Sequence, residues 1–352
     1  MAIRIRQGIT FDDVLLEPRR SGVDRDRINL RSRLTKTVFL DIPILAAAMD
    51  TVSESRMAIA LGKLGGMAVV HRNCAIADSV RWVREARRAG VQVGAAVGPH
   101  DIERAIAISK AGATAIFVDC AHAHHDRIIR DAKKIKKAIR TPLILGNIGT
   151  AEAARALMPF ADGLKVGIGP GAICTTRIVT GVGVPQLTAI MDVVAVARKR
   201  GIPVIADGGM KYSGDVVKAL AAGASSVMLG SMLAGTDEAP GKVVTIEGKK
   251  YKQFRGMGSL AAMQSGRSSD RYFQKGKKKY VPEGVEAITP YKGPVGDVVW
   301  NIVGGLKSGM GYLGAMDIPA LTKQARFIQI TSASLKESHP HTITIAKKAP
   351  NY

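Results

Sequence analysis

The chain holds 352 residues, 46% of them hydrophobic, with 51 Lys and Arg against 29 Asp and Glu for a formal net charge of +22. This describes a soluble globular protein with ample core material, either two ordinary domains or one large α/β barrel, and no apolar run of about 18 residues is present to span a membrane. The basic excess draws polyanions in general, so nucleic acid and phosphorylated metabolites both stand as ligand classes.

At the N-terminus, MAIRIRQGITFDDVLL has no apolar stretch followed by a small-residue cleavage site. No secretory signal is read, and a cytoplasmic protein is expected. From residue 42 onward, short apolar runs recur, each followed by a longer helical pattern: IPILAAAM (42–49), GMAVVH (66–71), VQVGAAV (91–97), TAIFVDC (114–120), TPLILGN (141–147), DGLKVGI (162–168), IPVIADG (202–208) and ASSVMLGS (224–231). Their near-continuous hydrophobicity suits parallel strands buried on both faces. Between them, segments such as DIERAIAISKAGA and SGDVVKALAAGA space apolar residues by three and four and end on a small AGA. Eight evenly spaced units with right-handed crossovers predict a (β/α)8 TIM barrel, with a doubly wound sheet as the alternative. The whole of 1–352 is read as one catalytic domain, with 72–90 a short helix connection.

A barrel carries its chemistry at the C-terminal ends of its strands. There the sequence places Met49, Asp50 and Thr51; Asp119 and Cys120; Asn147; Asp207, Gly208 and Gly209; and Gly230 with Ser231. Any one of these residues also suits a helix cap or a turn. After the sixth run comes KVGIGPGAICTTRIVTGVGVPQ (165–186), a glycine-rich loop around Cys174. Its amides suit an anion and its carbonyls a cation, and a thiol on such a loop suits nucleophilic attack. With only three cysteines at irregular spacing, Cys74, Cys120 and Cys174 are expected to be reduced, and the first two read as small buried hydrophobes, although Cys120 follows a strand-end Asp. The clusters KKIKK (133–137) and KGKKKY (275–280) read as solvated faces, and SSDRYFQKGKKKY by itself reads as a charged surface loop.

The motifs GIGPGAICTTR, GVGVPQ, IADGGMKYSGDVVKALAAGA, RGMGSLAAM and YKGPV together resemble the inosine 5′-monophosphate (IMP) dehydrogenase and guanosine 5′-monophosphate (GMP) reductase superfamily. The likeness runs from GITFDDVLLEP (8–18) to KESHPH (336–341). Dehydrogenases of this group usually carry a pair of inserted regulatory modules after the second strand, for which 72–90 leaves no room. The resemblance nonetheless favours the dehydrogenase branch, through RGMGS and through Arg271–Tyr272 in a mobile flap at about 264–290. It implies NAD as cofactor and a potassium ion. Cys174 would attack carbon 2 of IMP, and Arg271, Tyr272, Thr176 and Glu283 would serve hydrolysis of the adduct. Asp207, Gly208, Gly209, Gly230, Ser231, Met257, Gly258 and Asn147 would hold the substrate. Asp119, Cys120 and Ala121 would face the cofactor. Carbonyls of Gly169, Gly171 and Cys174, with Glu337, Ser338 and His339 of a neighbouring subunit, would hold the potassium, which implies a homotetramer.

Three positions depart from the pattern. Ala172, Phe254 and Ala47 stand where members usually carry hydroxyl side chains, so weaker phosphate binding is expected, offset in part by nearby charge such as Lys165. GMP reductase is the second reading. The third, suggested by the +22 charge, is a barrel that binds nucleotide or nucleic acid without turnover.

Overall fold

The computed structural model describes residues 5–265, 268–347 and 349–350. In chain order its strands are β1 (Val14–Leu16), β2 (Ser32–Arg33), β3 (Phe39–Leu40), β4 (Ile44–Ala46), β5 (Met67–Val70), β6 (Gly94–Val97), β7 (Ala115–Asp119) and β8 (Leu143–Ile148). They continue with β9 (Gly163–Val166), β10 (Val204–Asp207), β11 (Ser226–Leu229), β12 (Val243–Ile246), β13 (Lys249–Arg255), β14 (Glu286–Pro290) and β15 (Phe327–Gln329). Strands β4 to β11 pair in parallel and close on themselves through Val227 opposite Ile44. These are the eight apolar runs, in order. Each strand is shorter than its run: in 42–49, Pro43 has no N–H to give the ladder, and Ala47 already begins the turn toward the site.

Alternation along each strand divides the apolar side chains into two cores. Ile44, Ala46, Ala68, Val70, Ile116 and Val118 face the surrounding helices. Leu45, Met67, Val69, Ala115, Phe117, Ile144, Ile205 and Met228 fill the barrel interior, where Leu34 and Leu40 join them from the β2–β3 hairpin. The same alternation puts Lys165, Asp119 and Asp207 inside, at the strand ends.

Between β5 and β6 the described structure has only the helix Ile76–Arg88. The excursion lies after β11 instead, where β12, β13 and β14 form an antiparallel sheet and residues 256–285 connect β13 to β14. Helix Val295–Leu313 then packs on helix Ser213–Ala221, and β15 pairs with β1 to join the two ends of the chain. Among the described residues no helix is long and apolar enough to cross a membrane.

Candidate active site

Lys165 is the centre of the barrel mouth. Its side chain is 3% exposed, and Nζ lies 3.1 Å from Asp119 Oδ1 and 2.7 Å from Asp207 Oδ2, while also donating to Asn147 Oδ1. The expectation that Lys165 lends charge to a phosphate is therefore corrected. Inside the barrel it neutralises two carboxylates that would otherwise repel each other. Asn147 reaches this cluster because the β8–β9 ladder shifts register between Gly146 and Ile148, a bulge that re-aims the side chain. Its Nδ2 donates to Gly167 O at 2.8 Å and to Asp207 Oδ2 at 2.9 Å.

The cysteine loop rises beside this cluster. Gly167 has φ +154°, and a Cβ there would lie 2.2 Å from the backbone oxygen of Asp207. Gly167→Ala is thus expected to cost about 1–3 kcal/mol in a urea titration, as overpacking does; an unchanged midpoint would show that the loop and β10 are free to separate. Farther along, the Arg177 side chain packs against Gly169 and Gly183 and donates to the carbonyls of Ile168 at 2.9 Å and Val184 at 2.6 Å. Burial lowers its pKa, with Cys174 acting against that shift.

Cys174 is half-buried, with Sγ 3.2 Å from Thr176 Oγ1. Residues 283–285 run antiparallel to the loop: Thr175 N–H donates to Glu283 O, Val285 N–H to Ile173 O, and Cys174 bridges Gly284. On its other side the same stretch bonds Gly256 and Gly258, so it joins the cysteine loop to the segment after β13. That pairing puts Glu283 on the pocket wall.

Residues 268–273 fold into the pocket as a single helical turn, Ser269–Tyr272. This corrects the surface-loop reading of SSDRYFQKGKKKY: Lys275 and Lys277–Lys279 are exposed, but the Arg271 side chain is only 15% exposed and forms an ion pair with Asp119. Burial lowers the pKa of Arg271, Tyr272 opposes that shift and Arg72 adds to it. For Tyr272, burial raises the pKa and Arg271 pulls it back. Arg271 Nε is buried without a hydrogen bond among the described residues.

The pocket wall gathers Asn147, Gly169, Gly171, Cys174, Thr176, Asp207, Gly208, Gly209, Gly230, Ser231, Met257, Arg271, Tyr272 and Glu283, together with Asp119 and Ala121. Two expected members are elsewhere. Cys120 is fully buried, with its thiol 3.3 Å from Gly146 O and its pKa pushed up to about 12 by burial, so it presents nothing to a ligand. Gly258 lies under the Tyr272 ring, where a Cβ would come within 2.6 Å of Cζ. The Gly208 amide is engaged with Met228 O at 3.3 Å. Ala47 and Phe254 flank Gly230, each 3.9 Å from where its Cβ would be, so two of the missing hydroxyls adjoin one wall of the pocket. Glu337, Ser338 and His339 are not part of this wall; the His339 ring meets Tyr212 at 5.7 Å. Sequence reasoning missed Lys165 as a bridge and Arg72 as a contact of the flap. Strand alternation alone would have placed the first inside the barrel.

Residues 8–341 match the family model described as the IMP dehydrogenase / GMP reductase domain. The chain is similar to an inosine-5′-monophosphate dehydrogenase of Cryptosporidium parvum, 44% identical over 394 positions that cover 99% of this chain and 98% of the relative. A relative of the same name from Halobacterium salinarum is 40% identical over 481 positions, covering 99% and 96%, and one from Bacillus subtilis is 38% identical over 479 positions, covering 99% and 98%. The last two alignments are far longer than 352 residues, so those relatives carry long stretches with no counterpart here.

Proposed function

The chain belongs to the IMP dehydrogenase / GMP reductase family, and on that premise we propose that it oxidises IMP to xanthosine 5′-monophosphate with NAD, through a covalent thioimidate on Cys174. The observation that carries the dehydrogenase over the reductase is the Arg271–Tyr272 turn, inserted in the pocket and paired with Asp119. A reaction that must hydrolyse an enzyme-bound intermediate has a use for such a group there. The names of the relatives point the same way.

In this reading Asp207 orients the ribose. Lys165 and Asn147 engage its Oδ2, and Oδ1 is the acceptor left for the hydroxyls. Amides at Gly209, Gly230 and Ser231 receive the phosphate, with no added charge. Cys174 then adds to carbon 2 of the purine and the proton of the thiol departs to solvent, with the Thr176 hydroxyl at 3.2 Å placed to relay it. NAD supplies the hydride acceptor. Its ribose suits Asp119, an acceptor-only carboxylate, but in this structure Asp119 is paired with Arg271, so the flap and the dinucleotide share one place. When the flap returns, Arg271 and Tyr272 stand where they activate water against the adduct, and Thr176 with Glu283 offers a second proton route. Burial holds the Arg271 pKa below its ordinary value, which is the direction a base requires.

The potassium site fits in part. Gly169, with φ +72°, and Gly171 and Cys174 bring carbonyls to the loop, but Gly171 O already accepts the Cys174 N–H at 3.0 Å, and Arg177 satisfies two neighbouring carbonyls. In this reading Glu337, Ser338 and His339 of a neighbouring subunit complete the set, in the homotetramer that the resemblance implies. We further propose one catalytic domain without inserted regulatory modules.

The test is absorbance at 340 nm with IMP plus NAD and, separately, GMP plus NADPH. A rise with the first pair is expected, and a fall with the second pair alone would select the reductase. Arg271→Gln is expected to retain the rise of the first turnover and to lose about 10²–10⁴-fold in steady-state rate, as loss of a general base does.

A further inference from the structure

The flap is held by a contact that lies outside the pocket. Arg72, in the turn after β5, points Nη1 at both carboxylate oxygens of Asp270, at 2.9 and 3.0 Å, and its Nη2 is 3.4 Å from the backbone oxygen of Asp119. The guanidinium is 9% exposed and the carboxylate 24%. Gly98 leaves room for the pair: a Cβ there would lie 3.0 Å from Asp270 Oδ2 and 3.2 Å from Arg72 Nη1.

Arg72 is itself braced. Its neighbour Asn73 donates to Asp50 Oδ2 at 2.7 Å and accepts from Ser265 Oγ at 2.7 Å, and Asp50 is paired with Arg255 at the end of β13. The turn after β5 therefore holds the flap at its root, through Ser265, and at its middle, through Asp270. Other attachments of the turn among the described residues include Arg271 to Asp119, the Ala121 N–H to Arg271 O at 3.1 Å, the Tyr272 ring over Gly258, and the Phe273 ring 5.1 Å from His125. Neither Arg72 nor Asp270 is part of the pocket wall.

We propose that Arg72 is a positioning residue that latches residues 268–273 in the pocket through Asp270, and so sets how the flap and the nicotinamide half of the dinucleotide share the space beside Asp119. The proposal rests on the dehydrogenase reading above. A closed flap in the free enzyme lowers the fraction of molecules open to the dinucleotide and raises its apparent KM by that fraction. Hydrolysis, in contrast, needs the closed form. Weakening the latch therefore lowers KM for NAD and kcat together; slower hydrolysis by itself moves both the same way, so recovery in the charge swap is what separates the latch from a damaged hydrolytic step.

Arg72→Gln is expected to lower both quantities by about tenfold, the scale of one charge-assisted hydrogen-bonded pair, while the rise of the first turnover at 340 nm keeps its amplitude. Arg72→Lys, which keeps the charge but loses the fork, is expected to fall between it and the parent. The double variant Arg72→Glu with Asp270→Arg is expected to recover toward the parent values. A KM for NAD that is unchanged or raised in Arg72→Gln, or a swap that recovers nothing, overturns the latch. Should the parent make no NADH at all, the dehydrogenase reading fails, and the latch is read from the rate of tryptic cleavage at the exposed Lys275–Lys279 stretch. Faster cleavage in Arg72→Gln, reversed in the swap, supports the latch; equal rates overturn it.

Discussion

Cys174→Ala is expected to abolish turnover of IMP, with a fall on the order of 10⁴–10⁶-fold, the scale on which removal of a covalent nucleophile is felt. No other group can take its place. Cys120 is fully buried with its pKa pushed up to about 12, and Cys74 is buried in the turn after β5; neither is part of the pocket wall, so neither presents its sulfur to the substrate. Thr176 lies 3.2 Å from the sulfur, but a neutral hydroxyl is a much weaker nucleophile than a thiolate. The contacts proposed for the ribose and phosphate do not involve the sulfur, so binding of IMP, followed by calorimetry, is expected to persist. Turnover that survives in Cys174→Ala would remove the thioimidate from the mechanism. Lost turnover together with lost binding would instead mean that the cysteine holds the loop in shape.

The second large effect belongs to Lys165→Met. Methionine has a similar length and no charge, so the variant removes the cation while leaving Asp119 and Asp207 facing each other at the barrel mouth. Breaking a buried ion pair from one side costs about 3–5 kcal/mol, because the abandoned charge stays buried. Lys165 serves two carboxylates as well as Asn147, so a loss at the upper end of that range is expected in urea or thermal unfolding. Activity is expected to fall as well, since Asp207 loses the partner that fixes Oδ2. A variant with a loss below about 1 kcal/mol and normal kcat/KM would mean that water replaces the ammonium without difficulty. The comparison with Arg271→Gln is informative: Arg271 also pairs with Asp119, but from the flap, and its loss is expected to alter the rate of hydrolysis more than stability.

Much of the site was legible in the sequence for a local reason. Gly167, Gly169, Gly208 and Gly209 mark backbone that other residues cannot adopt without strain: Gly169, Gly208 and Gly209 all have positive φ, and Gly167 is closed against Asp207. Asp207 and Asp119 end apolar runs, and a carboxylate there faces the barrel mouth. The peripheral strands were not legible. β12, Val-Val-Thr-Ile, is short and mostly exposed, and β13 carries three lysines, so neither has the buried apolar character of the barrel strands, although the two-residue turn Glu247–Gly248, with both φ values positive, is a hairpin signal that could have been found. For Cys120 the residue type pointed to burial and the resemblance to the cofactor; a residue immediately after a strand end faces either way, and the structure buries it with its thiol on Gly146 O. Lys165 was misread because a lysine in an apolar run looks like surface charge until its two partners, 46 and 42 residues away, are seen.

The sequence by itself determined the eight strand runs and their order, the place of the cysteine loop after β9, and the absence of room for more than one helix between β5 and β6. Each follows from contacts between near neighbours in the chain, or from a periodicity that one strand or one helix must satisfy alone. The tertiary structure alone decided that Asp119, Asn147, Lys165 and Asp207 form one charged cluster, that residues 283–285 pair with the cysteine loop, and that Arg72 grips Asp270 across 198 positions. Those contacts depend on barrel closure, which brings the ends of separate strands within a few ångströms, and on a return path through β13 and β14 that no local pattern specifies.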